Sequence, residues 1–371
     1  MKELNDIIAA YDKAVLQNKK MALVTVVKVE GSSYRRPGAR MLVTEDGEIT
    51  GAIIGGCLEG DALRKAQLAM LQQQNKLEIY DTTDDEDDRL GIQLGCNGIV
   101  YILFEPIKNH DANNPVSLLK MVAIKRKDAV LATVFNEDKF AEQLGTCFFI
   151  NDEEVLSFLD DAKIKAQGKI ILEQKISVIK EDNGHSVLYQ FVPPCIQIVM
   201  VGAGNDAQPL ADMASLLGWN IVVVDGRPSY ANRLRFPKAK NICVVKASEF
   251  LQAVTIDEHT SVILMTHNYN YDVSVLEQVI QADCKYIGML GPKKKLDKML
   301  LELTEKGIKI EDETIHRIYG PVGLDIGAET SEEIAVSIVA EIKAVFTKRN
   351  GASLRQRNTG IHERSKLSHH E

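Results

Sequence analysis

The sequence predicts an α/β protein with a C-terminal parallel sheet, an N-terminal α+β domain and a small β-rich insert between them. Three observations carry that reading. From Ile196, continuous apolar stretches (IQIVMV, NIVVVD, NICVV, SVILMT) alternate with helical ones, as in parallel strands buried on both faces under helices. The first stretch runs into Gly202-Ala203-Gly204-Asn205-Asp206-Ala207, a Gly-x-Gly-x-x-Ala turn between strand and helix that marks a Rossmann-type fold. Before residue 105, short strands pair around an Asp46-Gly47 turn instead.

Taken in order, residues 4–19 have helical spacing and MALVTVVKVE (21–30) reads as a strand. ARMLVTEDGEITGAII is a hairpin turning at Asp46-Gly47. Leu58, Ala62, Leu63, Ala66, Ala69 and Met70 then recur at helical intervals. Strands over 76–81 and 98–104 complete a domain of residues 1–105. Residues 106–194 hold the linker-like KNHDANNP and short strands in DAVLATVFN, GTCFFI and HSVLYQFVPP, and the insert ends at Pro193-Pro194. The Rossmann-type domain is expected over 195–346, its last helix opened by a Thr330–Glu333 capping box. A basic tail, 347–371, follows.

The 371 residues carry a net charge of −8, which argues against a nucleic-acid partner. No apolar run is long enough to span a bilayer, and the charged start MKELNDIIAAYDKA is unlike a signal peptide. A cytoplasmic protein is expected. Cys57, Cys96, Cys147, Cys195, Cys243 and Cys284 are scattered, which supports neither a zinc site nor a disulfide framework.

In the Rossmann turn, Gly202 permits the tight bend, Gly204 lets backbone approach a diphosphate, and Ala207 keeps the helix close to the sheet. Asp225, 21 residues after Gly204, ends the second strand, where a carboxylate accepts a ribose hydroxyl. Arg227 is the residue type that meets a 2′-phosphate, so NAD, NADP or another nucleotide stays open. His267 ends the next strand, Gly291 turns before three lysines, and Gly320, Gly323 and Gly327 follow. All should line one crevice at the strand ends. His267 reads equally well as a ligand contact, an acid or base, or a structural histidine.

In the N-terminal domain, GSSYRRPGARMLV places Arg35, Arg36 and Arg40 on a loop, where guanidinium groups can grip a phosphate or carboxylate; a solvated turn is the plain alternative. Cys57 follows Gly55-Gly56 at the start of a helix, a setting that favours thiolate and hence metal ligation or a persulfide. Glu59 and Asp61 oppose it, and a small buried residue is the alternative. Cys96, between Gly95 and Asn97-Gly98, repeats the setting beyond the solvated acidic run DTTDDEDD.

GSSYRRPGARMLV, GGCLEG and LGCNG together resemble the N-terminal domain of the XdhC/CoxI family, and VGAGNDAQPLADMASLLGWNIVVVDGR, RFPKA, THN, YIGMLGPKKK and GPVGLDIGAETSEEIAVSIVAEI resemble its Rossmann domain. The resemblance implies a molybdenum cofactor chaperone, typically a homodimer. It implies binding of molybdopterin or its dinucleotide form, protection during sulfuration by a cysteine desulfurase, and delivery to a xanthine dehydrogenase-like molybdenum hydroxylase. By the same resemblance Cys57 matches the cysteine tied to holding the cofactor, a contact near molybdenum. Departures are Asp225-Gly226-Arg227, Gly291-Pro292-Lys293 and Cys96-Asn97-Gly98, where the family often has Asp-Pro-Arg, Gly-Ser-Arg and Cys-Gly-Gly. Two rival functions are an NAD(P)-dependent oxidoreductase using His267, though no convincing Tyr–Lys or His–carboxylate set is evident, and a nucleotide-sensing regulator.

Overall fold

The structure is a computed structural model that describes residues 1–31, 33–53, 59–81, 98–108, 111, 113–182 and 184–356. It divides into two compact units, Met1–Pro194 and the chain from Cys195 on.

The first unit opens with α1 (Lys2–Leu16), β1 (Met21–Gly31), β2 (Arg40–Thr44), β3 (Ile49–Gly51), α2 (Glu59–Gln72), β4 (Lys76–Asp81) and β5 (Gly98–Ile107). The strands form an antiparallel sheet in the order β3-β2-β1-β5-β4. The expected hairpin turns at Gly47, whose φ of 90° suits glycine. One face of α2, built from Ala62, Ala66, Ala69 and Met70, packs on Val24, Met41 and Ile102 of this sheet. Small side chains there let helix and sheet approach closely.

A second antiparallel sheet follows, from β6 (Ala129–Phe135), β7 (Gly145–Ile150), β8 (Val155–Ser157), β9 (Val178–Asp182) and β10 (His185–Val192), in the order β8-β7-β6-β10-β9. It carries two helices absent from the sequence reading, α3 (Pro115–Ile124) and α4 (Ala162–Gln174). Their caps are explicit. The Asn114 side chain accepts from the amides of Val116 and Ser117, and Asp161 accepts from Lys163 and Ile164. Leu23 and Leu42 of the first sheet share a core with Leu131 and Phe149 of the second, and with α1 and α3.

The second unit has the expected parallel sheet, with six strands where the sequence reading named four. Its strands are β11 (Gln197–Val201), β12 (Asn220–Asp225), β13 (Asn241–Val244), β14 (Thr260–Leu264), β15 (Tyr286–Met289) and β16 (Ile318–Tyr319). Their order is β13-β12-β11-β14-β15-β16, the doubly wound arrangement in which ligands bind where the order reverses, between β11 and β14. Helices α5 (Ala207–Leu216), α7 (Tyr269–Val279), α8 (Lys293–Glu305) and α10 (Ser331–Phe346) accompany the sheet, with the short α6 (Phe250–Ala253) and α9 (Asp312–Ile315). Thr330 and Glu333 form the predicted capping box on α10.

Candidate functional site

The turn after β11 shows why glycine is needed at its first position. Gly202 has φ of 118°, and a Cβ there would lie 2.5 Å from the Met265 carbonyl oxygen at the end of β14. A backbone obstacle cannot swing aside, so only glycine fits. Gly204 differs. A Cβ there would meet the Asp206 carboxylate at 2.4 Å, so a side-chain anion lies over the spot where dinucleotide-binding turns receive a diphosphate. Asp206 precedes α5, and its Oδ2 lies 3.0 Å from His267 Nε2. That pair spans the switch point. His267 itself has φ of 57°, a conformation that a non-glycine residue keeps only when its surroundings hold it.

Asp225 is engaged within the chain. Its carboxylate is buried and accepts four hydrogen bonds within the chain. Oδ1 takes the Arg227 amide and Nε, both at 2.9 Å, and Oδ2 takes the Ala203 amide and Arg227 Nη2, both at 2.8 Å. An ionised carboxylate has about four lone-pair sites, so none is left for a ribose hydroxyl. Burial pushes the Asp225 carboxyl up, but the Arg227 side chain and the two amides outweigh it and hold it below the ordinary value. Arg227 lies over the Tyr230 ring, 4.0 Å from its centroid, with Arg235 at 5.3 Å from the same ring. Arg235 Nη2 donates to the Ala203 carbonyl and to Asn205 Oδ1, which ties this segment to the glycine turn.

Beyond β14, Asp272 is wholly buried, accepts from Thr266 Oγ1 at 2.6 Å and pairs with Lys295 Nζ at 2.7 Å. The ion pair fastens the start of α7 to the first turn of α8. Gly291, φ 125°, bends the chain before that turn, and Lys293 and Lys294 are exposed there. Gly202, Gly204, Asp225, His267 and Gly291 all stand at or just past the carboxyl ends of parallel strands, and Asp206, Tyr230, Arg235, Asp272 and Lys295 make contacts around those ends. Asp206, Arg235, Asp272 and Lys295 leave little trace in the sequence, because each matters through a partner distant along the chain; Tyr230 meets arginines three and five residues away.

The N-terminal arginines separate. Arg35 pairs with Glu3 of α1. Arg36 is exposed and has no ion pair among the described residues. Arg40 is not on the loop at all; it begins β2 and is buried. Its Nη1 donates to the Gly38 carbonyl and to Gln190 Oε1, while Nε and Nη2 have no partner among the described residues. Burial lowers its pKa to about 10, against the raising influence of Glu105 and Glu3. The strand places it there: Arg40 stands opposite Thr25 of β1, facing the inter-sheet interior. Gly55, Gly56, Cys57 and Cys96 lie outside the described residues.

Both units have known relatives. Residues 14–81 match the profile of the XdhC and CoxI family, and residues 198–342 that of the XdhC Rossmann domain. A Bacillus subtilis (strain 168) protein named as a probable subunit of xanthine dehydrogenase is 28% identical over 89% of this chain and 94% of its own length. The Escherichia coli (strain K12) molybdenum cofactor insertion chaperone PaoD is 24% identical over 90% and 86%. A crystal structure described as a xanthine dehydrogenase from Bacillus halodurans superposes with a TM-score of 0.75 at 31% identity, covering 94% of this chain and 98% of that one. With both profiles in order and that structural relative aligned end to end, the chain belongs to the XdhC/CoxI family.

Proposed function

We propose that this protein holds molybdenum cofactor as cargo and passes it to a xanthine dehydrogenase-type hydroxylase. The carrying observation is that the similarity to a named cofactor insertion chaperone runs through both units, over 90% of the chain. The surface fits an anionic cargo at Arg36, an exposed guanidinium without an ion pair among the described residues, while Arg35 beside it is steadied by Glu3. In this reading Arg36, with Arg35, grips the phosphate of the pterin through charge-assisted hydrogen bonds, and Cys57 and Cys96 are the cysteines assigned to the cofactor. Arg40 supports the sheet interior. The bound cargo is sulfurated by a cysteine desulfurase before delivery. A cytoplasmic homodimer and a nucleotide in the Rossmann crevice complete the proposal.

The test is co-expression with cofactor synthesis, followed by metal analysis and pterin fluorescence of the purified protein. Molybdenum and pterin are expected to copurify, and to fall about tenfold or more in Arg36→Ala, since a hydrogen bond to a charged group contributes about 1.5–3 kcal/mol. Cys57→Ser should also lose cargo. Protein that carries neither molybdenum nor pterin, with Cys57→Ser unchanged, would end the proposal.

One observation favours a second reading. The Asp206–His267 pair at the switch point is a His–carboxylate arrangement suited to acid–base work beside a nicotinamide. An NAD(P)-dependent oxidoreductase would show a protein-dependent change in nicotinamide absorbance that His267→Ala abolishes.

A further inference from the structure

Taking the Rossmann crevice as a nucleotide site, we infer that it selects a ribose bearing an anionic group, such as a 2′-phosphate, over one with a free diol. The inference deepens the proposed function and rests on its nucleotide reading alone. Three features lead to it. First, the carboxylate that would read a diol is saturated by four internal donors, two of them from the Arg227 side chain. Second, what stands at the end of β12 instead is a cation held in place. Arg227 has five N–H groups, of which two go to Asp225. The other three have no acceptor among the described residues, and the side chain is 50% exposed while stacked on Tyr230. Arg235 adds a second guanidinium against the same ring, and its Nε is buried without a partner among the described residues. Third, Asp206 puts a negative charge over the glycine turn and before α5. The helix end is thereby partly counter-charged, so discrimination between anions falls to the arginines.

A planar fork presenting several N–H groups matches a phosphate better than a hydroxyl, which needs an acceptor. Fixing the guanidinium by a carboxylate on one edge and a ring on its face removes rotamer freedom before the ligand arrives.

The experiment is calorimetric titration of the full-length protein with adenosine 2′,5′-bisphosphate and with adenosine 5′-monophosphate. The bisphosphate is expected to bind about ten- to hundred-fold more tightly, the range of a hydrogen bond to a charged group. Arg227→Ala should invert the order, because losing the fork weakens the bisphosphate and frees Asp225 to accept a diol. A merely structural arginine would weaken both ligands alike, and that outcome overturns the inference. Should Arg227→Ala fail to fold, Tyr230→Leu at an exposed position is expected to weaken the bisphosphate several-fold and leave the monophosphate unchanged; equal effects overturn it. Equal affinity of the two ligands for the intact protein overturns this inference while leaving the nucleotide site standing. Binding of neither overturns both. Cargo retention is a separate measurement, so its failure does not decide these titrations.

Discussion

Asp225 and Glu105 are both buried carboxylates, and they act on stability with opposite signs. Asp225 sits below its ordinary value because Arg227 and two amides outweigh its burial. Its stabilisation is therefore complete above about pH 4, the ordinary carboxylate value, and is lost as pH falls through the lower folded value. Glu105 is raised, because burial outweighs the hydrogen bonds from the Thr146 amide and hydroxyl and the charge of Arg40. Its contribution is present below the ordinary value and is lost as pH rises through the folded one. Asp225→Asn should cost about 1–3 kcal/mol at neutral pH and flatten the loss of stability below about pH 4. Glu105→Gln should instead flatten the decline on going from acid to neutral pH. Denaturant unfolding across that range distinguishes the two, and a parallel shift of both curves would contradict the assigned signs. Site residues at this scale are only partly legible in the sequence. Gly202 is legible, since the need for positive φ is local. Arg40 is not, because the first residue of a strand looks like the last of the loop before it, and only the pairing of β2 with β1 turns its side chain inward.

Elements of the second unit are readable because parallel strands covered on both faces are apolar throughout. In the first unit α3 and α4 escape the sequence reading. The body of α3, VSLLKMVAI, is apolar on most sides and hides the helical period, although Asn114-Pro115 is a recognisable start. What fastens elements to each other is less visible still. The buried Asp272–Lys295 pair joins α7 to α8, with Asp272 fully covered. Lys295→Met should cost about 3–5 kcal/mol, because it leaves a buried carboxylate without its counter-charge. The double variant Asp272→Leu, Lys295→Met should recover much of that loss. A single-variant cost near zero in thermal or denaturant unfolding would show that the pair does not clamp the two helices.

The whole molecule is two units with separate cores. Among the described residues, the hydrophobic clusters of residues before Pro194 contain no residue from beyond it, and the two clusters flanking the parallel sheet contain none from before. A unit with its own core is expected to fold alone. The chain from Cys195 on, expressed by itself, should therefore unfold cooperatively and bind the same adenine nucleotide as the full protein. A non-cooperative melt would show that its core depends on the first unit.

From sequence alone came the class of the fold, the parallel order of apolar strands, the glycine turn and the family, because all of these depend on residues close together along the chain. Only the tertiary structure decided which charges are already spent: that Asp225 is saturated by Arg227, that Asp206 meets His267, and that Arg40 is sealed between sheets while Arg36 stays outside. The physical reason is that a side chain's chemistry is set by what faces it, and those partners come from other strands and turns that composition and spacing do not connect.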